Sequence, residues 1–459
     1  MKEYDLIVIG SGAGLNVVED ALSHGVSVAL VDKGPLGGTC LNLGCIPSKM
    51  LIYPSDRVVE IADAAKLGIE AEIRKIDFKA VMQRMRQRVQ EGERHVREGI
   101  RSSEGLDFYE GEGRFVKDYT LEVNGERIRG RKVVIASGAR PEVPPLGMTD
   151  ADGILTSESL LRLQEKPKTM IIIGGGYIAA EYAHFFTSMG TTVTLLQRDL
   201  HLVPDEEPEI SELLQREMGK RMAIHTGTEA VAVRGKEGSF RVTAREKGAA
   251  GETEFTAEKV LLAAGRVSNA DLLRVELTGV ETDERNYIKV NEYLETSRKD
   301  IWAFGDAIGK KMFRHVANRE SSIVVDNVLH DARGKMDYLA APHAVFSYPE
   351  IASVGLTEAD AIQQFRGQGL LVGKARYAEV ARGEAMREET GFAKAIVMRD
   401  SGRIIGFHIV GPFASILIHE VIVAMANDLD VWALGRAMHI HPALSEVIIA
   451  ALSNLSEVP

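Results

Sequence analysis

Hydrophobic and polar positions along the chain repeat one layout twice. The stretch "YDLIVIGSGAGLNVVEDALSHGVSVALVDKG", residues 4 to 34, begins with a Val/Ile/Leu run that leads into Gly10, Gly12 and Gly14. A helical period and a second apolar run ending at Asp32 follow. The stretch "TMIIIGGGYIAAEYAHFFTSMGTTVTLLQRD", residues 169 to 199, has the same order around Gly174 and Gly176. Near-continuous apolar runs next to glycine turns predict buried parallel strands, so each stretch reads as a strand–helix–strand unit. One such glycine pattern is a weak signal. Two, each in the right context, are much stronger.

Between them, "KAVMQRMRQRVQEGERHVREGIR" (79 to 101) predicts a long charged helix. Its interspersed glutamates suit a solvated face better than a nucleic-acid surface. The segment "KVVIASGARP" is echoed by "KVLLAAGRVSN", and a helix is expected over about 318 to 330. From about 340 the texture changes. Antiparallel-looking strands "FAKAIVMRD" and "RIIGFHIVG" alternate with helices "ASILIHEVIVAMAND" and "ALSEVIIAALSNL". The expected fold is α/β, with two Rossmann-like dinucleotide-binding domains and an α+β C-terminal domain. The expected division is 1–149, 150–268, 269–338 and 339–459, the first and third segments forming one nucleotide domain.

Composition narrows the partners. The 459 residues carry 55 Lys plus Arg against 66 Asp plus Glu, a net charge of −11, which disfavours nucleic acid and anionic membrane surfaces. No apolar run approaches the roughly 18 residues of a membrane span. The short run in "MKEYDLIVIGSGAG" reads as a first strand rather than a signal sequence, so a cytoplasmic protein is expected.

Only two cysteines occur, Cys40 and Cys45, both within "GGTCLNLGCIPSK". On spacing alone they could be small buried hydrophobes or a stray disulfide; in a cytosolic protein a close pair is more often redox-active. The glycine turns let backbone approach a pyrophosphate at a helix N-terminus, and Asp32, 20 residues after Gly12, suits ribose hydroxyls. The third glycine position of the first turn holds Leu15, with Gly14 just before it, so helix–strand packing should differ there.

Two nucleotide sites and a cysteine pair suggest a relay. A nicotinamide gives hydride, a disulfide does not accept it directly, and a flavin can mediate. The N-terminal site is therefore expected to hold FAD and the second NAD(P)H. Cys45 opens an apparent helix with Pro47 in its first turn. Its thiolate is favoured there, and Cys45 is the sulfur expected beside the flavin, with Cys40 facing the substrate. A zinc reading fails for want of ligands, since His439 and His441 lack compact spacing, and no metal is expected. "HPALSE" supplies His441 and Glu446, an imidazole and a carboxylate suited to protonating a leaving thiolate.

Over essentially its whole length the chain resembles the FAD-dependent pyridine nucleotide–disulfide oxidoreductases. The carrying motifs are "GGTCLNLGCIPSK", "GGGYIAAEYA", "DIWAFGDA" and "HPALSE". The resemblance implies an interchange thiol at Cys40 and a charge-transfer thiol at Cys45. It implies an ion pair of Lys49 and Glu181 near the flavin, an aromatic gate at Tyr177, and a ribitol-binding carboxylate at Asp306. Asp32 matches the adenosine-ribose acid, and His441 with Glu446 the acid–base dyad. It also implies cofactor contacts from Lys33, Gly38, Thr39, Ser137, Gly138, Ile178, Gly265, Arg266, Gly305, His315 and Ala317, beside Gly10, Gly12, Gly14, Gly174 and Gly176. In this family the partner subunit donates the dyad, which implies a homodimer with shared sites. Mercuric reductases and large thioredoxin reductases carry further C-terminal thiols or selenols, which are absent here.

The second unit ends "VTLLQRD", with Gln197 and Arg198 where an NAD enzyme usually offers a carboxylate. A guanidinium there suits a 2′-phosphate and points to NADPH over NADH, with His201 the only further basic residue nearby. A low-molecular-weight disulfide, as in mycothione or glutathione reductases, is the expected substrate. The alternatives are a dihydrolipoyl dehydrogenase working with NAD, a flavin NAD(P)H oxidase or quinone reductase, and a nucleotide-binding scaffold without turnover.

Overall fold

The computed structural model describes residues 1–147, 153–365 and 369–457. The boundary expected at 149/150 lies outside the described residues. The first glycine unit builds a seven-stranded sheet in which Lys2–Ile9 lies parallel between Val28–Asp32 and Glu126–Ile135. Ile301–Ala303, far along the chain, joins the same sheet parallel to Glu126–Ile135. The second unit builds a five-stranded parallel sheet around Thr169–Ile173, flanked by Thr192–Leu196 and Lys259–Leu262. A separate three-stranded antiparallel sheet, Thr228–Lys236, Ser239–Glu246 and Glu252–Ala257, accompanies it. The C-terminal sheet has six strands and antiparallel pairing, with Ile404–Val410 and Phe392–Met398 at its centre. The architecture is α/β with an added α+β unit.

The two glycine units match in hydrogen-bond detail. Gly10 N–H donates to Val31 O and Gly174 N–H to Leu196 O, each at 2.9 Å. Ala136 N–H donates to Ile9 O and Ala263 N–H to Ile173 O, each at 2.8 Å. Gly10 and Gly174 have φ of +107° and +118°, and a Cβ on either would run into the carbonyl of Ala136 or Ala263. Only glycine meets both demands. Asp32 and Gln197 therefore occupy equivalent positions at the end of the second strand of each unit.

Some boundaries differ from the sequence expectation. The helix expected from about 318 runs Arg314–Leu329, which puts His315 and Ala317 in its first turns. The segment read as one helix over "ASILIHEVIVAMAND" is two, Ala414–Leu417 and His419–Ala426. The charged helix is Phe78–Ser102, and it buries only a narrow stripe of Phe78, Met82, Met85 and Ile100. The odd glycine spacing also has an explanation. Gly14 starts the first helix, and a Cβ there would stand 3.1 Å from a Val8 methyl, so Gly14 itself provides the close helix–strand approach. No helix among the described residues is long and apolar enough to cross a membrane.

Candidate active site

One cavity of about 1450 Å³ gathers most of the expected residues. From the first glycine turn and its sheet come Gly10, Gly12, Asp32, Lys33, Ser137 and Gly138. The cysteine segment adds Gly38, Thr39, Cys40, Cys45 and Lys49. Tyr177, Ile178 and Glu181 enter from the second unit, and Arg266, Gly305, Asp306, His315 and Ala317 from later segments. Gly14, Gly174, Gly176, Gln197, Arg198, Gly265, His441 and Glu446 do not line it.

Cys40 lies in the short helix Gly38–Asn42, not in a loop, and Cys45 opens the helix Cys45–Asp63. Both are free cysteines, and each thiol shifts the other's ionisation. The neighbouring Cys40 thiol, with help from the Lys49 cation, brings the Cys45 thiol down to about 7 against the effect of burial. The neighbouring Cys45, and then burial, push Cys40 up. The pair is thus asymmetric, with Cys45 the thiolate.

Lys49 and Glu181 form a two-pronged ion pair, Nζ lying 2.9 Å from both carboxylate oxygens. Glu181 is buried, and its Oε1 also accepts the Phe346 N–H at 3.1 Å. Lys49 Nζ stands 4.5 Å above the Phe346 ring. Asp306 is held above the ordinary carboxylate range by burial, opposed by Arg266, whose Nε is 3.7 Å from Asp306 Oδ2. Glu320 anchors this loop, accepting the Gly305 N–H at 2.7 Å and the Tyr338 hydroxyl at 2.6 Å.

The cavity fits a flavin dinucleotide. A Cβ on Gly38 would stand 2.7 Å from Gly12 Cα, so the two turns meet as bare backbone. Asp32 ties the cradle by accepting Ser11 N–H at 2.5 Å and Gly34 N–H at 2.6 Å. Ser137 Oγ and Arg266 Nε are buried with no hydrogen-bond partner among the described residues, and both residues line the cavity, as a polar ligand would require.

At the second turn Gln197 is buried against Gly175, where a Cβ would stand 2.7 Å from its side chain. Its amide donates to Asp199 Oδ2 and His201 O, each at 3.2 Å. Arg198 is 74% exposed and only 3.9 Å from Asp199 Oδ2. His441 Nδ1 lies 2.9 Å from Glu446 Oε1, so Nδ1–H donates and Nε2 is free. The Glu446 carboxyl is held below its usual range, first by the Ala443 N–H and then by His441. The His441 side chain is 72% exposed and does not line this chain's own cavity. Among the described residues no cluster of three His, Cys, Asp or Glu side chains could hold a metal.

Sequence reasoning missed Phe313, Arg314, His343 and Phe346, all of which line the cavity. Phenylalanines, a lone arginine and a lone histidine give no signal until packing places them. It also missed Asp199, one residue past the strand-end pair.

Comparison with known proteins fits this geometry. A family model described as pyridine nucleotide-disulphide oxidoreductase matches residues 4–321, and that family's dimerisation domain matches 341–452. The chain is 35% identical to mycothione reductase of Mycobacterium tuberculosis over 99% of this chain and 100% of that protein. It is 32% identical to dihydrolipoyl dehydrogenase of Synechocystis over 97% of each. Against mercuric reductase of Staphylococcus aureus it is 34% identical over 94% of this chain and 78% of that one. Its fold superposes on the HOCl-induced flavoprotein disulfide reductase RclA from Escherichia coli with a TM-score of 0.85, at 27% identity, covering 98% and 99% of the two chains.

Proposed function

Because the chain belongs to the pyridine nucleotide-disulphide oxidoreductase family, whose enzymes use a flavin and a nicotinamide cofactor, we propose that it reduces a low-molecular-weight disulfide with NADPH through FAD and the Cys40–Cys45 pair. The observation that carries this reading is the asymmetric thiol pair, sharing one cavity with the glycine cradle and the Lys49–Glu181 pair.

In this reading the first glycine turn, Asp32, Lys33, Gly38, Thr39, Ser137 and Gly138 hold the dinucleotide, while Gly305, Asp306, Arg266, His315 and Ala317 close on its other part. Bound there, FAD supplies a ring that accepts hydride from the nicotinamide and passes an electron pair to an adjacent sulfur. Tyr177 covers the nicotinamide pocket, Ile178 and Glu181 flank it, and Gly174, Gly176 and Gly265 shape the nucleotide loop. Lys49 keeps a positive charge beside Cys45 and favours its thiolate. Cys40 gives its thiol proton to His441 of the partner subunit and attacks the substrate disulfide, forming a mixed disulfide and releasing the first thiol, which takes that proton back. Cys45 then attacks Cys40 sulfur, releasing the second thiol and leaving the Cys40–Cys45 disulfide. His441, its Nδ1–H held by Glu446, protonates the leaving thiolate at the neighbouring subunit's Cys40 in a homodimer. The division at 149/150, 268/269 and 338/339 and a cytoplasmic location belong to the same reading.

NADPH is favoured by Gln197 standing where the first unit has Asp32, with an exposed guanidinium next to it. The test is a screen of mycothione-type, glutathione-type and lipoamide disulfides with NADPH and NADH. Turnover of a small thiol disulfide with NADPH is expected. A clear preference for NADH and lipoamide would replace the proposal with a dihydrolipoyl dehydrogenase.

A further inference from the structure

Three aromatic rings stand in file on the wall of the cavity beside Tyr177. Phe313 is the centre of the file. It stacks on His343 at 5.5 Å and 10° and on His315 at 5.8 Å and 14°, and it meets Tyr177 at 5.9 Å. Neither histidine is loose. His315 Nε2 lies 2.7 Å from Pro342 O, and His343 Nε2 lies 2.6 Å from Glu206 Oε1. Glu206 is buried, and its other oxygen accepts the Ser353 hydroxyl at 2.6 Å.

Glu206 is itself fixed from two sides. Its N–H donates to Val203 O at 3.0 Å, and Val203 N–H donates to Gly175 O in the second glycine turn at 2.7 Å. The next residue, Glu207, accepts Lys394 Nζ at 2.8 Å and Glu358 N–H at 2.6 Å from the C-terminal domain. A closed path of contacts therefore runs from the glycine turn through Glu206, His343 and Phe313 to Tyr177, which follows that turn.

We propose that His343, oriented by Glu206, is a positioning residue for the nicotinamide nucleotide: through Phe313 it backs Tyr177 and sets the resting place of that ring. This rests on the reading of Tyr177 as the cover of the nicotinamide pocket. A ring that must swing to admit its ligand returns to one place only if what lies behind it is rigid. Parallel stacking held by two ring-nitrogen hydrogen bonds supplies that rigidity, which an aliphatic wall would not.

The experiment measures NADP⁺ and NAD⁺ dissociation constants by calorimetry on FAD-loaded protein, with KM values for nucleotide and disulfide. His343→Leu is expected to weaken the preferred nucleotide roughly three- to tenfold in Kd and KM, an aromatic pair's worth, without moving the disulfide KM. His343→Phe, which keeps the ring in the stack but loses the hydrogen bond to Glu206, is expected to recover only part of that loss. Phe313→Leu should act in the same direction without uncovering Glu206, and it carries the test if His343→Leu fails to fold. Unchanged nucleotide affinity in both leucine variants, or an equal rise in the disulfide KM, overturns the proposal. Tyr177→Ala separates the two layers: if it too leaves nucleotide affinity unchanged, the Tyr177 reading falls as well. If Tyr177→Ala alone weakens the nucleotide, only the role of His343 falls.

Discussion

At the scale of single residues, the two cysteines differ because their mutual coupling and the Lys49 cation act on them unequally. Cys45→Ser is expected to bind FAD but lose the long-wavelength charge-transfer band on two-electron reduction. Cys40→Ser should show a permanent band. Full disulfide turnover by either variant would remove Cys40 and Cys45 as the redox pair. Since Cys45 titrates at about 7, its thiolate grows as pH rises through that value, so the band in the reduced enzyme should strengthen between about pH 6 and 8. A pH-independent band would contradict that assignment. The nucleotide strand end is a second single-residue question. Arg198 is exposed, so its pair with a 2′-phosphate should contribute only about 1.5 kcal/mol, roughly tenfold in affinity. Gln197→Glu combined with Arg198→Ala should shift kcat/KM toward NADH by about that factor. Steady-state kinetics with both nucleotides decides it.

At the scale of elements, the helices Cys45–Asp63 and Tyr177–Ser188 are joined by two polar rungs. One is Lys49–Glu181, and the other is Asp56–His184, with Asp56 Oδ1 2.9 Å from His184 Nε2. Arg221 donates to His184 Nδ1 at 3.0 Å, which leaves the proton on Nε2, donated to Asp56. Burial is the main cause that lowers the His184 pKa below its ordinary value near 6.5. The unfolded chain therefore binds the proton more readily, and the stability from a neutral His184 is present above about pH 6.5 and lost as pH falls below it. His184→Gln is expected to be less stable at neutral pH but to lose less of its thermal midpoint between pH 6.5 and 5 than the parent. Parallel midpoint curves would show that His184 does not carry this pH dependence. These helices were legible from apolar period and glycine punctuation. The rungs were not, because a histidine at a helical position has no signature until its neighbours are known.

At the scale of the whole molecule, His441 follows Ile440, which is 77% exposed, and Met438, which is fully exposed, on a domain that also shows Phe413, Ile416, Val423 and Trp432 at its surface. So much apolar surface on one domain suits a second copy of the chain. If His441 serves the neighbour's Cys40, mixing inactive Cys40→Ser with inactive His441→Ala should restore activity after subunit exchange. Random pairing makes half the dimers mixed with one intact site each, so recovery should approach about one quarter of the parent activity. No recovery in mixtures shown to contain mixed dimers would place the dyad within its own chain.

The sequence by itself determined the α/β class, the two nucleotide units and the cysteine pair. Each of these depends on local chemistry: strand–glycine–helix order, positive backbone angles that only glycine tolerates, and thiols spaced by a few residues. It also singled out His441 with Glu446, since five residues suffice to bring that imidazole and carboxylate together. Only the tertiary structure decided which distant residues share the cavity. Phe346 on Glu181 and His343 on Glu206 depend on packing between segments that no period relates. Gly14 shows the boundary between the two. Its displaced position was plain in the sequence, but its purpose became readable only where Val8 lies against it.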